Sequence, residues 1–232
     1  MPRKVLAVSA HIGDEIMGCG GTLLRHVRAG DAVRVVVLGE GWTSRTRSLE
    51  KGLEAVDLDA FEEQARGALS KLSISDVVFH RLPDNRFDRA PLLDIVKVIE
   101  REKAEFDPDT VYTNTMIDLG IDQRTTARAV ATAFRPLPGE RTSEILTFEV
   151  RSSTEWDYGL SGQQFAPNCF VNIARTLDAK LEALRALQTE ARPWPHSRSI
   201  EAVAHHARGR GASVGLEAAE AYFVLRSVRK DD

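Results

Sequence analysis

The chain reads as an α/β protein with a Rossmann-like, mostly parallel sheet flanked by helices, and three observations predict it. Short runs rich in valine and isoleucine alternate with segments whose apolar residues recur at helical spacing through the first two-thirds, the pattern of successive βαβ units. The first run, at 5–10, is apolar but for Ser9, as a buried strand is. A length of 232 residues with 43% hydrophobic content supports one sizeable core, and α/β folds of this size are commonly one domain, here spanning 1–232.

Taken in order, strands are expected at 5–10, 32–38, 76–82 and 110–113, and helices at 21–29, 61–72, 92–105 and 124–134. Glu144-Ile145-Leu146-Thr147-Phe148-Glu149-Val150 suits a fifth strand, and Phe170-Val171-Asn172-Ile173 is a further strand-like run. Leu177, Leu181, Leu184 and Leu187 recur at core spacing on a helix. The stretch 151–167 has no regular pattern and is read as a loop able to wall a pocket.

Composition narrows the function. A formal charge of -3 and a pI near 6.1 give no overall attraction to nucleic acid or anionic membrane. The two cysteines, Cys19 and Cys169, are far apart and lack paired spacing, which fits a reducing compartment better than a disulfide scaffold. The amino terminus lacks a signal peptide's apolar region, and no apolar run approaches a membrane span. The expectation is a cytoplasmic protein acting on a small molecule, alone or as a homo-oligomer.

The most informative stretch is His11-Ile12-Gly13-Asp14-Glu15, directly after the first strand. A histidine and an aspartate three residues apart on a strand-to-helix loop can direct both side chains at one ion. Open parallel sheets bind ligands beyond the carboxyl ends of their strands, and Asp118-Leu119-Gly120-Ile121-Asp122-Gln123-Arg124 comes after the 110–113 strand. Two loops remote in sequence are thus expected to meet at one pocket. Gly18-Cys19-Gly20-Gly21 matches neither Gly-x-Gly-x-x-Gly nor the P-loop; these glycines are read as close helix-to-sheet packing, with Cys19 a small buried residue. His205 and His206 are adjacent, and neighbours on a helix point about 100° apart, which disfavours joint ligation.

Together the first loop, the 118–124 stretch, Gly39-Glu40-Gly41-Trp42-Thr43-Ser44-Arg45, Leu82-Pro83-Asp84-Asn85-Arg86-Phe87-Asp88, Ser152 to Trp156 and Pro195-His196-Ser197-Arg198-Ser199 resemble the PIG-L/LmbE family of zinc-dependent N-acetyl-sugar deacetylases. That family's signature reads His-Pro-Asp-Asp-Glu. The resemblance implies His11 and Asp14 as zinc ligands, and puts Gly13 where the family carries its general base. It puts Gly120 at an oxyanion-stabilising histidine, Gln123 at the third zinc ligand, and Asp122 at an orienting residue. A missing positioned base typically forfeits about 10² to 10⁴ in rate, and a missing oxyanion donor about 10² to 10³. Glu15, Asp118 and Asp122 are the candidate substitute bases.

Catalysis is therefore expected from Asp14 and Asp122, and a metal at His11, Asp14 and Gln123. Gln123 would supply an amide oxygen, a poor substitute for imidazole toward zinc, so that another divalent ion such as magnesium is no worse suited. Arg45, Asp84, Arg86, His196 and Arg198 are the candidate contacts to an amino sugar or sugar nucleotide, since guanidinium groups grip phosphate and hydroxyl oxygens. The alternative for Asp84-Asn85-Arg86 is a turn with an internal ion pair, and for His196 a surface position. The resemblance implies a hydrolase acting on an N-acetylated amino sugar or glycan precursor. The alternatives are a sugar-binding or regulatory protein that has lost the chemistry, and an enzyme repurposed on a related sugar.

Overall fold

The computed structural model describes residues 2–41, 57–187 and 190–229. Strand and helix alternate through its first two-thirds: β1 (Lys4–Ser9), α1 (Asp14–Arg28), β2 (Ala32–Gly39), α2 (Leu58–Ser70), β3 (Asp76–Leu82), α3 (Leu92–Phe106), β4 (Thr110–Asn114), α4 (Ile121–Ala133) and β5 (Glu144–Phe148). The last third adds β6 (Cys169–Asn172), α5 (Leu177–Ala186), α6 (Ile200–Ala212) and β7 (Ala219–Ser227). Among the described residues the sheet has seven strands in the order β3-β2-β1-β4-β5-β7-β6. The first five named are parallel; β7 runs antiparallel to β5 and β6 antiparallel to β7. This mostly parallel sheet flanked by helices is the fold class the sequence predicts.

Successive side chains on a strand face opposite sides, and β1 is covered on both, so it contributes to two cores. Val5 and Ala7 join a core with Ile16 and Leu23 of α1, Leu69 of α2, and Leu181 and Leu184 of α5. Leu6 and Val8 join a second core with Ile95 and Ile99 of α3 and Val130 of α4. The leucines at 177, 181, 184 and 187 are all buried in the first core, as their spacing predicts.

Two elements depart from expectation. The first helix begins at Asp14, not at 21, so the glycine-rich stretch lies within it. Those glycines admit close packing: a Cβ on Gly18 would stand 2.1 Å from the Phe148 ring, and one on Gly21 2.9 Å from Ile173. The burial gained offsets the roughly 1 kcal/mol that a glycine costs inside a helix. Strand β7 was not expected from the sequence, because the apolar Phe223 and Leu225 occupy exposed positions in its outer half, so that no apolar/polar alternation marks it.

A buried ion pair fastens this last third to the first. Lys180 Nζ lies 2.6 Å from Glu220 Oε1 and donates to the Met17 carbonyl at 2.6 Å. The Glu220 carboxylate accepts the N–H groups of Gly21 at 2.9 Å and Thr22 at 2.7 Å. Among the described residues no helix is long and apolar enough to cross a membrane.

Candidate functional site

The strand order reverses direction between β1 and β4, which places the loops after these strands side by side at the crevice where open α/β sheets bind ligands. Asn114, the last residue of β4, joins them: its Oδ1 accepts the Ala10 N–H at 2.8 Å and its Nδ2 donates to Asp14 Oδ2 at 3.1 Å. Gly13 precedes α1 with φ of 94° and contributes no side-chain cap. In this left-handed conformation, natural to glycine, the chain turns so that His11 and Asp14 both face a cavity of about 280 Å³.

His11 is gripped at both ring nitrogens. Its Nε2 lies 2.8 Å from Asp84 Oδ1 and 2.8 Å from Asp122 Oδ2. Asp122 is fully buried and also accepts the backbone N–H groups of Asn85 at 2.6 Å and Phe87 at 3.0 Å. On the other side, Gln123 Nε2 stands 3.2 Å from His11 Nδ1 and donates to Asp14 Oδ2 at 3.1 Å. Burial opposes a charged imidazole, but the carboxylates of Asp122, Asp84 and Asp14 outweigh it and raise the His11 pKa above the ordinary histidine value.

Burial raises the Asp14 pKa, against the lowering influence of His11, Arg198, Asn114 and Gln123. Burial likewise pushes Glu15 up to about 8. Glu15 is spent inward, its oxygens accepting the Gly13 N–H and the Ser9 hydroxyl. Asp118 is pushed up to about 6 by burial and accepts from the Ser153 hydroxyl, Thr154 Oγ1 and the Gly120 N–H. It clamps the 118–123 loop to the 152–154 turn. Neither side chain lines the cavity, and both substitute-base expectations give way to structural roles.

The far wall comes from the last third of the chain. Arg198 donates to the Ser152 hydroxyl, the Arg151 carbonyl and the Glu190 carboxylate. His196 lines the cavity, its Nδ1 accepting the Arg198 backbone N–H at 3.0 Å and its ring meeting Trp156 edge-on at 5.7 Å. Of the expected substrate contacts, Asp84, His196 and Arg198 line the cavity. Asp84 is buried and directed at His11. Arg86 is half-buried ahead of the short turn of helix at Phe87–Arg89 and does not line the cavity; Arg45 lies outside the described residues. Sequence reasoning missed Asn114, Glu190 and Arg192. Asn114 had one legible signal, a polar side chain closing an apolar strand; the other two sit in a stretch without pattern.

Among the described residues, His11, Asp84 and Asp122 form the one group of metal-competent side chains whose ligand atoms lie within 4.8 Å of one another. Both Asp122 oxygens are committed to backbone N–H groups there, so this is a hydrogen-bonded shell that orients the imidazole. The remaining set, His11 Nδ1, Asp14 and Gln123, meets at an amide NH₂. A carboxylate can only accept, so Asp14 fixes that face of the amide inward. A catalytic zinc site needs three lone-pair donors, and position 123 presents N–H bonds; the residues present do not fit the zinc ion that the resemblance implies.

The model of the family described as GlcNAc-PI de-N-acetylase, PIG-L, matches residues 6–134. A search of curated protein sequences returned no match. Among solved structures, N,N'-diacetylchitobiose deacetylase from Pyrococcus horikoshii superposes with a TM-score of 0.74 at 18% identity, over 97% of this chain and 84% of that one. The zinc-inhibited form of teicoplanin deacetylase gives 0.73 at 17% identity, over 99% of each chain. GalB, the 4-carboxy-2-hydroxymuconate hydratase of Pseudomonas putida, gives 0.75 at 19% identity, again over 99% of each. At such identities the likeness is one of fold.

Proposed function

Since the chain belongs to the GlcNAc-PI de-N-acetylase (PIG-L) family, we propose that it is a hydrolase that removes the acyl group from an N-acylated amino sugar or glycan precursor. The observation that carries this reading is the cavity at the β1 and β4 ends, where a buried carboxylate, a carboxylate-held imidazole and an arginine converge. A volume of about 280 Å³ sits at the small end of ligand pockets and suits one sugar residue at the reacting end of a substrate. The solved structures of this fold described as N,N'-diacetylchitobiose deacetylase and teicoplanin deacetylase support the substrate class.

Amide hydrolysis requires a base for the attacking water, a donor for the developing oxyanion and a proton for the leaving amine. In this reading Asp14 takes the proton as the water O–H bond breaks and the oxygen adds to the acyl carbon. The raised affinity of the buried carboxylate for a proton suits it to that task. Arg198 faces the same cavity and offers its guanidinium to the carbonyl oxygen; as the C–N bond breaks, the proton passes from Asp14 to the amine nitrogen. Asp122 and Asp84 hold His11 in place, and His196 against Trp156 supplies a ring edge to the sugar. No step is assigned to zinc or another divalent metal. We place the reaction in the cytoplasm, a reading supported by two free cysteines.

The test is release of acetate and free amine across N-acetylglucosamine, its oligomers and its nucleotide-linked forms. Asp14→Asn is expected to lower kcat/KM by about 10² to 10⁴, and Arg198→Ala by about 10². Absence of product from every substrate, or turnover that both variants leave untouched, would overturn the proposal.

A further inference from the structure

Gly120 has φ of -68° and ψ of 126°, an extended conformation open to any residue. Its backbone gives no reason for glycine. The reason lies in its neighbour: a Cβ built at position 120 would stand 1.9 Å from Gln123 Oε1 and 2.8 Å from Gln123 Cδ. The other contact within reach, Asp118 Oδ1 at 3.2 Å, would yield by a few tenths of an ångström. The amide of Gln123 therefore fills the space in which a side chain at 120 would begin, and from that position directs its NH₂ at His11 Nδ1 and Asp14 Oδ2.

We propose that Gly120 and Gln123 form one unit, in which the amide occupies the room left by the missing side chain and closes the His11–Asp14 site with hydrogen bonds, so that the site works without a bound zinc ion. Both residues of the unit are needed. Without the glycine the amide has no room to fold back; without the amide, His11 Nδ1 and the buried Asp14 carboxylate face one unfilled gap. Gln123 and Asp14 are both buried, at 4% and 2% exposure, so water from bulk does not take the amide's place at no cost. Asp14 is also held by Asn114 and feels the Arg198 charge. The protein's own groups thus meet this carboxylate's needs.

Two measurements on the folded full chain test the unit, and neither depends on turnover. The first is zinc retained after incubation with excess zinc chloride and gel filtration, read by elemental mass spectrometry. Wild type is expected to hold no more than Asp14→Ala, while Gln123→His, which replaces the N–H donor by an imidazole lone pair, is expected to retain at least about tenfold more. Near-stoichiometric zinc in wild type that is lost in Asp14→Ala overturns the proposal, as does Gln123→His with no gain. The second is a double-mutant cycle. Gly120→Ala is expected to lower Tm by roughly 2–4 °C or more in wild type and to leave it nearly unchanged in a Gln123→Ala background; equal shifts in both backgrounds overturn the coupling. Zinc binding by wild type would leave the hydrolase reading standing, whereas an inactive, zinc-free protein would remove that reading and leave this one.

Discussion

Two glycines in the site, at 13 and 120, are glycine for different physical reasons. At position 13 the backbone itself demands it, with φ of 94°, and a Cβ there would lie 3.0 Å from Glu190 Cγ. Gly13→Asp, the change that would rewrite the loop toward the family signature, is therefore expected to destabilise by about 1–2 kcal/mol from the left-handed conformation alone, with crowding of Glu190 added. Urea unfolding of the variant checks this, and an unchanged midpoint would refute it. At position 120 the neighbour demands the glycine, and the substitution is costly only while Gln123 is present. The spacing of His11, Asp14, Asp122 and Gln123 made their convergence legible in the sequence, because both loops come after strands of a parallel sheet. The sense of the Gln123 amide was not legible, since it depends on Asp14 being an acceptor within 3.1 Å. Nor was the inward use of Glu15 and Asp118, which results from burial that residue identity does not announce.

The elements that could be read were those whose apolar period was unbroken: β1 to β6, α2 to α4, and the leucine face of α5. The start of α1 was hidden because four small residues, Gly18 to Gly21, break the periodic signal at the place where the helix packs closest to the sheet. Strand β7 escaped because it runs antiparallel to both its partners, β5 and β6, and itself lies outside the repeated βαβ pattern. That strand nevertheless carries Glu220, whose carboxylate meets the Lys180 ammonium and the N–H groups of α1. Removing one member of a buried pair leaves the other charge without its counterion, at a cost of roughly 3–5 kcal/mol. Lys180→Met should fall near the lower end, because Glu220 keeps its bonds to Gly21, Thr22 and Tyr222. Chemical denaturation measures the loss, and a cost below about 1 kcal/mol would show that the pair contributes little.

At the scale of the whole molecule, buried carboxyls set how stability responds to pH. Glu15 is raised by burial from 4.5 to about 8, and Asp118 from 3.8 to about 6. Between the unfolded and folded values the folded chain binds the extra proton, so stability is greatest below the unfolded pKa and declines as pH rises toward the folded one. Glu149 has the opposite sign. It is half-buried, and although that desolvation opposes ionisation, His206 and Arg210 lower it to about 2, so its contribution is complete above about pH 4.5 and leaves the neutral range flat. His11, also raised above its ordinary value, adds a decline of the same sign above about pH 6.5. The expected result is a Tm that falls from pH 6 to pH 8, with Glu15→Gln reducing the slope; a profile rising over that range would contradict it. The family match ends at residue 134, yet Ser152, Glu190, His196 and Arg198 complete the cavity. The proposed base Asp14 and its His11 neighbour are therefore written in one stretch of the gene, and the proposed oxyanion donor Arg198 in another that also carries the groups facing the substrate, so that selection can retune Ser152, Glu190 and His196 only while Arg198 is kept. A chimaera that takes 151–197 from another member of the family, and so keeps Arg198, should retain this chain's chemistry and inherit the donor's choice of sugar.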